Sequence, residues 1–232
     1  MSYRYITLIA ALPSLGKSYQ VDIPPLSRYQ LEKRLKLLTD EHRRLLEEIE
    51  SVLHWDHLNS HYDDRELIHS AHAVMEKLTH KHYNTIREII NWRLNLRTLL
   101  AAFRYREKGE DLSKISCQWG VGELMRHIEN NWSHSYFNLQ HRYRWLPELQ
   151  QKLQAQDTIA VEKILFDATW RYLRSSGANH VFDFTAVVRY VLMWNLVARW
   201  SSYDADRGVA HFQELVDFAL GDFRQIQFAV ED

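Results

Sequence analysis

Gly16-Lys17-Ser18 follows an aliphatic run, as the lysine loop that cradles a nucleotide phosphate would. Such a loop needs a glycine five residues earlier, where this chain has Ala11. It also opens a helix whose N-terminus holds phosphate, whereas Tyr19 leads instead to Pro24 and Pro25. A plain loop is the better reading. Of the 13 histidines, His54, His57 and His61 stand at helical spacing with Asp56 among them, and His69/His72 and His80/His82 follow. A pair four apart on a helix can grip zinc, but no Glu completes an H-E-x-x-H pattern and no Cys lies nearby, so this cluster also reads as a polar helix junction. Cys117, the single cysteine, sits in Ser116-Cys117-Gln118-Trp119 and reads as a packed, inert thiol. No G-x-S-x-G elbow anchors a serine nucleophile. These residues together imply no catalytic residue, no cofactor and no metal site.

The cations are more informative. Arginine outnumbers lysine 20 to 9, Arg93, Arg97 and Arg104 share one face of a helical segment, and Arg142-Tyr143-Arg144-Trp145 alternates cations with rings. Cations mixed with rings can stack on nucleic-acid bases. However, 29 basic against 30 acidic residues give a net charge of −1, which disfavours a general polyanion binder. Residues 81–110 carry seven basic and three acidic groups, while 201–232 carry two basic and seven acidic. The basic helix is therefore expected to meet acidic groups of its own chain or of a protein partner. Arg93 and Arg104 are the candidate partner-binding residues, and Arg199 is expected to be bound within the chain, with Asp204, Asp206, Glu214 and Asp217 the nearest acids in sequence.

The elements that position these residues are helical. Seven Gly and four Pro among 232 residues leave little material for hairpins, and 46% apolar residues provide a sizeable core. Residues 1–26 read as an extended N-terminal segment holding at most one strand, and 27–232 as a single all-helical domain. After Ser27, a good N-cap, Leu31, Leu35, Leu38, Leu45, Ile49 and Val52 predict one long amphipathic helix with His42 breaking the pattern, and Arg43, Arg44, Glu47 and Glu48 on its solvated face. Leu67, Ala71, Val74 and Leu78 predict a second helix. A third runs from about Asn84 to Lys108, closed by Gly109, and is apolar on most sides, which places it centrally. Further helices are expected near 121–132, 136–154, 158–175, 183–202 and 208–224. The fold class is an all-α multi-helix bundle. The longest uncharged stretch near the N-terminus, Tyr5–Gly16, is too short to span a bilayer, and the lone cysteine suits a reducing compartment, so the chain reads as cytoplasmic.

Arg87-Glu-Ile-Ile-Asn-Trp92-Arg-Leu94-Asn-Leu-Arg97 matches Arg189-Tyr-Val-Leu-Met-Trp194-Asn-Leu196-Val-Ala-Arg199 in register, 102 residues apart. Either amphipathic helices resemble one another by chance, or the chain holds two diverged repeat units, about 27–110 and 120–232. A true repeat would bury Trp92 and Trp194 in equivalent places.

Tyr3-Arg-Tyr5-Ile-Thr-Leu8-Ile-Ala-Ala-Leu12-Pro13-Ser-Leu15 resembles the opening of a group of bacterial proteins associated with V-type ATPases. The C-terminal stretch is similar as well, with Trp170, then Phe182-Asp183-Phe184, Tyr190, Leu192, Asn195, Arg199-Trp200, Asp204, Gly208 and Phe212. The helix from Trp92 through Arg97 to Gly109 resembles one in the C/d proteins of V-type ATPases. The resemblance implies an all-helical, non-catalytic protein with a coupling or structural role. Its partners would be other V-type ATPase subunits, in the rotor stalk or membrane ring, met without direct membrane insertion and peripheral to the inner membrane. The extended opening and the short chain depart from the C/d pattern. The alternative is a free-standing helical adaptor or RNA-binding protein that uses the arginine face.

Overall fold

A computed structural model describes residues 4–54, 64–109, 119–120, 123–177 and 179–203. Among these, nine α-helices and no strand are found: α1 (Ile6–Ala10), α2 (Arg28–Leu35), α3 (Asp40–Val52), α4 (Asp64–Lys77), α5 (Asn84–Glu107), α6 (Met125–Asn130), α7 (Leu146–Gln154), α8 (Thr158–Ser175) and α9 (184–203). The all-α bundle expected from the apolar spacing is present. The helix expected at 208–224 lies outside the described residues.

The N-terminal segment differs from the expected strand. Ile6–Ala10 forms a short helix because Tyr5 and Leu8 turn inward together, and the Tyr5 N–H donates to the Phe182 carbonyl at 3.0 Å rather than to a neighbouring strand. Residues 12–27 then run as an irregular strap. Ser27 caps α2 as anticipated, with its hydroxyl accepting from the Gln30 N–H and the Gln30 side chain accepting from the Ser27 N–H.

The single long helix expected after Ser27 is two helices. Thr39 sits in an extended conformation and its hydroxyl accepts from the His42 N–H, starting α3 with Asp40 and Glu41 in its first turn. The heptad-like leucines hide this break because their spacing stays in phase across it. On the solvated face Arg43 pairs with Asp40, and Glu48 accepts from Lys77, which ties α3 to α4.

α5 is the central helix. It contacts α6, α7 and α8, ends at Glu107 with Lys108 as its C-cap, and is followed by Gly109 at φ +68°, a left-handed backbone that glycine adopts without steric cost. Leu67, Ala71, Val74 and Leu78 of the α4 region are buried as the spacing required. The 136–154 helix is shorter than expected. Tyr136, Phe137 and Asn138 all take left-handed backbone angles, so the chain turns there and α7 starts only at Leu146, with Pro147 in its first turn. That turn inserts Phe137 into the core against Phe103. The helix expected at 121–132 is confined to Met125–Asn130. One apolar cluster runs from Tyr5 to Val197.

Candidate functional site

Aromatic donors on α8 and α9 hold the strap in place. The Trp170 indole N–H and the Arg174 guanidinium both donate to the Lys17 carbonyl, at 3.1 and 3.0 Å. The Tyr190 hydroxyl donates to the Pro13 carbonyl at 2.9 Å and the Trp194 indole to the Leu26 carbonyl at 3.0 Å, while Arg34 of α2 reaches the Ala11 carbonyl. Tyr19 is buried edge-on against Phe166, Trp170 and Trp200, and its hydroxyl donates to Asp167. Burial, then the bond to Asp167, pushes this phenol well above its usual range. A strap without regular structure must find partners for its backbone carbonyls, and these side chains supply them. Gly16 is left-handed and no helix follows it, so Gly16-Lys17-Ser18 is a strap turn whose Lys17 carbonyl is an anchor point.

His42, treated in the sequence as a break in the apolar pattern, is a buried residue of α3 that meets Tyr5 just before α1, Tyr83 in the turn before α5 and Phe184 at the start of α9. One ring nitrogen is hydrogen-bonded to the Tyr5 hydroxyl and the other to the Tyr83 hydroxyl at 3.0 Å, and the ring stacks on Phe184 at 4.1 Å. Burial lowers its pKa below 6.5, with Arg4 and His82 pushing the same way against Glu41, so the ring is neutral. A neutral imidazole donates from one nitrogen and accepts at the other, which matches two flanking phenols.

The arginines divide. Arg93 is 7% exposed and its Nη2 donates to the Leu53 carbonyl at 3.4 Å. Its expected role in meeting an acidic partner is thereby corrected, since α5 turns this face into the protein. Burial lowers the Arg93 pKa to about 9. Arg104 is half-buried, and its pKa is lowered by burial and then by Arg97. Arg199 is bound within the chain, as expected. Its partners are Glu162 of α8, 3.6 Å away, and the Tyr203 hydroxyl; the acids from Asp204 onward lie outside the described residues. Arg28, Arg93 and Arg199 line one cavity of about 530 Å³, in which Arg28 grips both oxygens of Glu50 and Asn195 donates to the same carboxylate. The bond to Glu50 raises the Arg28 pKa despite partial burial.

The two tryptophans of the internal echo are not buried alike. Both segments are helical, but Trp194 is 5% exposed under the strap, whereas Trp92 is half-buried and stacks on Tyr172, with centroids 4.3 Å apart and planes 5° apart. Among the histidines, His57 and His61 lie outside the described residues, as does Cys117. His54, His69, His72, His80 and His82 are exposed. No group of three metal-ligating side chains is found among the described residues.

Six large apolar side chains are exposed among the described residues, and four of them fall within residues 6–37: Ile6, Ile23 at 80%, Tyr29 at 75% and Leu37. No helix among the described residues is long and apolar enough to cross a membrane.

A family described as "Protein of unknown function (DUF2764)" matches residues 65–220, about two thirds of the chain, and the chain belongs to that family. No curated protein and no solved structure matches it.

Proposed function

We propose that this protein is a non-catalytic coupling or structural component associated with a bacterial rotary ATPase of the V type, similar to the C/d proteins, and that it meets its neighbours through the face carrying Ile23 and Tyr29. The observation that carries this reading is that four of the six large apolar side chains exposed among the described residues fall within residues 6–37, with Ile23 on the strap and Tyr29 on α2 the most exposed of them. Each alone would be ordinary, but a group of them on one anchored segment fits a protein partner. One further point supports it. The residues at the start and end of the chain that resemble V-type ATPase-associated proteins meet in space, Tyr5 at Phe182 and Pro13 at Tyr190.

Such a component holds shape while nucleotide chemistry occurs elsewhere, so the isolated protein does not hydrolyse ATP. Affinity capture of the tagged chain from native membranes tests the assignment. Recovery of rotary ATPase subunits supports it, whereas copurifying RNA without them supports the adaptor reading based on the arginine face.

A further inference from the structure

α2 turns Leu31 and Leu35 into the core, and helical spacing sets what its other side carries. Tyr29, Lys33 and Lys36 follow one another at steps of four and three residues, and Leu37 stands four residues after Lys33 on the turn that closes the helix. All four are exposed, Tyr29 at 75% and Leu37 at 56%. The arginines of the same helix are turned to their own chain. Arg28 grips Glu32 and Glu50, and Arg34 donates to the Ala11 and Gln30 carbonyls. Lys33 and Lys36 make no ion pair among the described residues. The wider segment has the same bias. Residues 4–37 carry six basic and two acidic side chains, in a chain that carries 29 and 30 overall. Positive charge is therefore concentrated on the segment that also exposes most of the large apolar side chains.

We infer that the outer side of α2 docks on an anionic membrane surface, with the Lys33 and Lys36 ammonium groups among the lipid phosphates and the Tyr29 and Leu37 side chains at headgroup level. A lysine lays its aliphatic stem along apolar surface while its charge stays in the wet headgroup layer, and a tyrosine ring suits the same depth. A basic helix with a few apolar side chains is drawn to anionic lipid by both terms at once. Protein interfaces favour arginine over lysine, and here the arginines are engaged internally while the lysines face out. Nucleic acid would match the cations but not Leu37. The contact is peripheral, since no helix among the described residues is long and apolar enough to cross a membrane. The inference rests on the proposed role in one respect, that the chain works beside a membrane-embedded machine. It adds lipid headgroups to the neighbours of α2 and leaves Ile23, on the strap, to a protein.

Flotation of the whole chain with vesicles of phosphatidylcholine, alone or with about one third phosphatidylglycerol, tests this. Binding to the anionic vesicles is expected below about 1 mM lipid at low salt, with little to the neutral ones, and it should be lost at about 0.5 M salt. Lys33→Gln with Lys36→Gln should weaken it by about twentyfold. Arg144→Gln with Lys163→Gln, which removes two exposed charges elsewhere, should change it by less than about twofold. Tyr29→Ser with Leu37→Ser should weaken it several-fold while leaving the melting temperature of the free protein unchanged, because both side chains are exposed. No binding to the anionic vesicles, equal binding to the neutral ones, or equal losses in the two charge variants overturns the inference. So does tighter binding of polyglutamate or of RNA oligomers than of anionic lipid. No ATPase component enters these mixtures, so a failure here leaves the capture experiment to judge the proposed function, and a failed capture leaves vesicle binding standing.

Discussion

The α5 and α9 segments share Arg, two aliphatics, Trp, Leu and Arg in register, yet their tryptophans face different surroundings. Over Trp194 lies the strap, whose Leu26 carbonyl accepts from the indole N–H, and Arg28 stands 5.9 Å from the ring. Over Trp92 lies Tyr172, and the pair forms a cavity wall. The same pattern of side chains builds a helix with an apolar face in both places, but what covers that face is decided elsewhere in the chain. On the α9 side an N-terminal segment closes the core, and on the α5 side the face borders a cavity.

The sharpest way to break this comparison is to truncate both rings. Trp194→Ala is expected to cost about 3–5 kcal/mol, the loss for a large core side chain, whereas Trp92→Ala costs about 1–2 kcal/mol because less area is buried. Urea midpoints of the two variants decide it, and equal losses would mean that the two sites are equivalent after all. Tyr190→Phe tests the strap alone. It leaves the Pro13 carbonyl without its donor and should cost about 1 kcal/mol by the same measurement.

The mildest perturbation is pH. The folded pKa of His42 lies below its unfolded 6.5, so between the two values the unfolded chain holds a proton that the folded chain lacks. The stability contributed by the neutral ring is complete above about 6.5 and is lost as pH falls toward the folded value. Melting curves recorded downward from about pH 7.5 should show this decline, and His42→Phe should lack it even though its overall stability is lower.

Much of the helical framework was legible locally. The Ser27 cap, the α5 span to Gly109 and the α8 span follow from residues adjacent in sequence. What was not legible depends on distant partners. The strap's path is fixed by Trp170, Tyr190 and Trp194, more than 150 residues away. His42 is a core residue only because Tyr5, Tyr83 and Phe184 surround it. The depth of Arg93 follows from the packing around α5, which the basic stripe on its own could not reveal. The break at Thr39 did leave a signal, an N-cap followed by two acids, overridden by leucines that kept their phase.

The surface at residues 6–37 is where the proposed function is most exposed to failure. A photoreactive amino acid placed at position 23, with position 159 as an exposed apolar control on α8, reads the neighbours of each in native cells. Cross-links from position 23 to a component of a rotary ATPase, absent or weaker from position 159, are the predicted result. Cross-links from position 23 only to RNA or to proteins outside that complex, with the chain folded and expressed, would contradict the account.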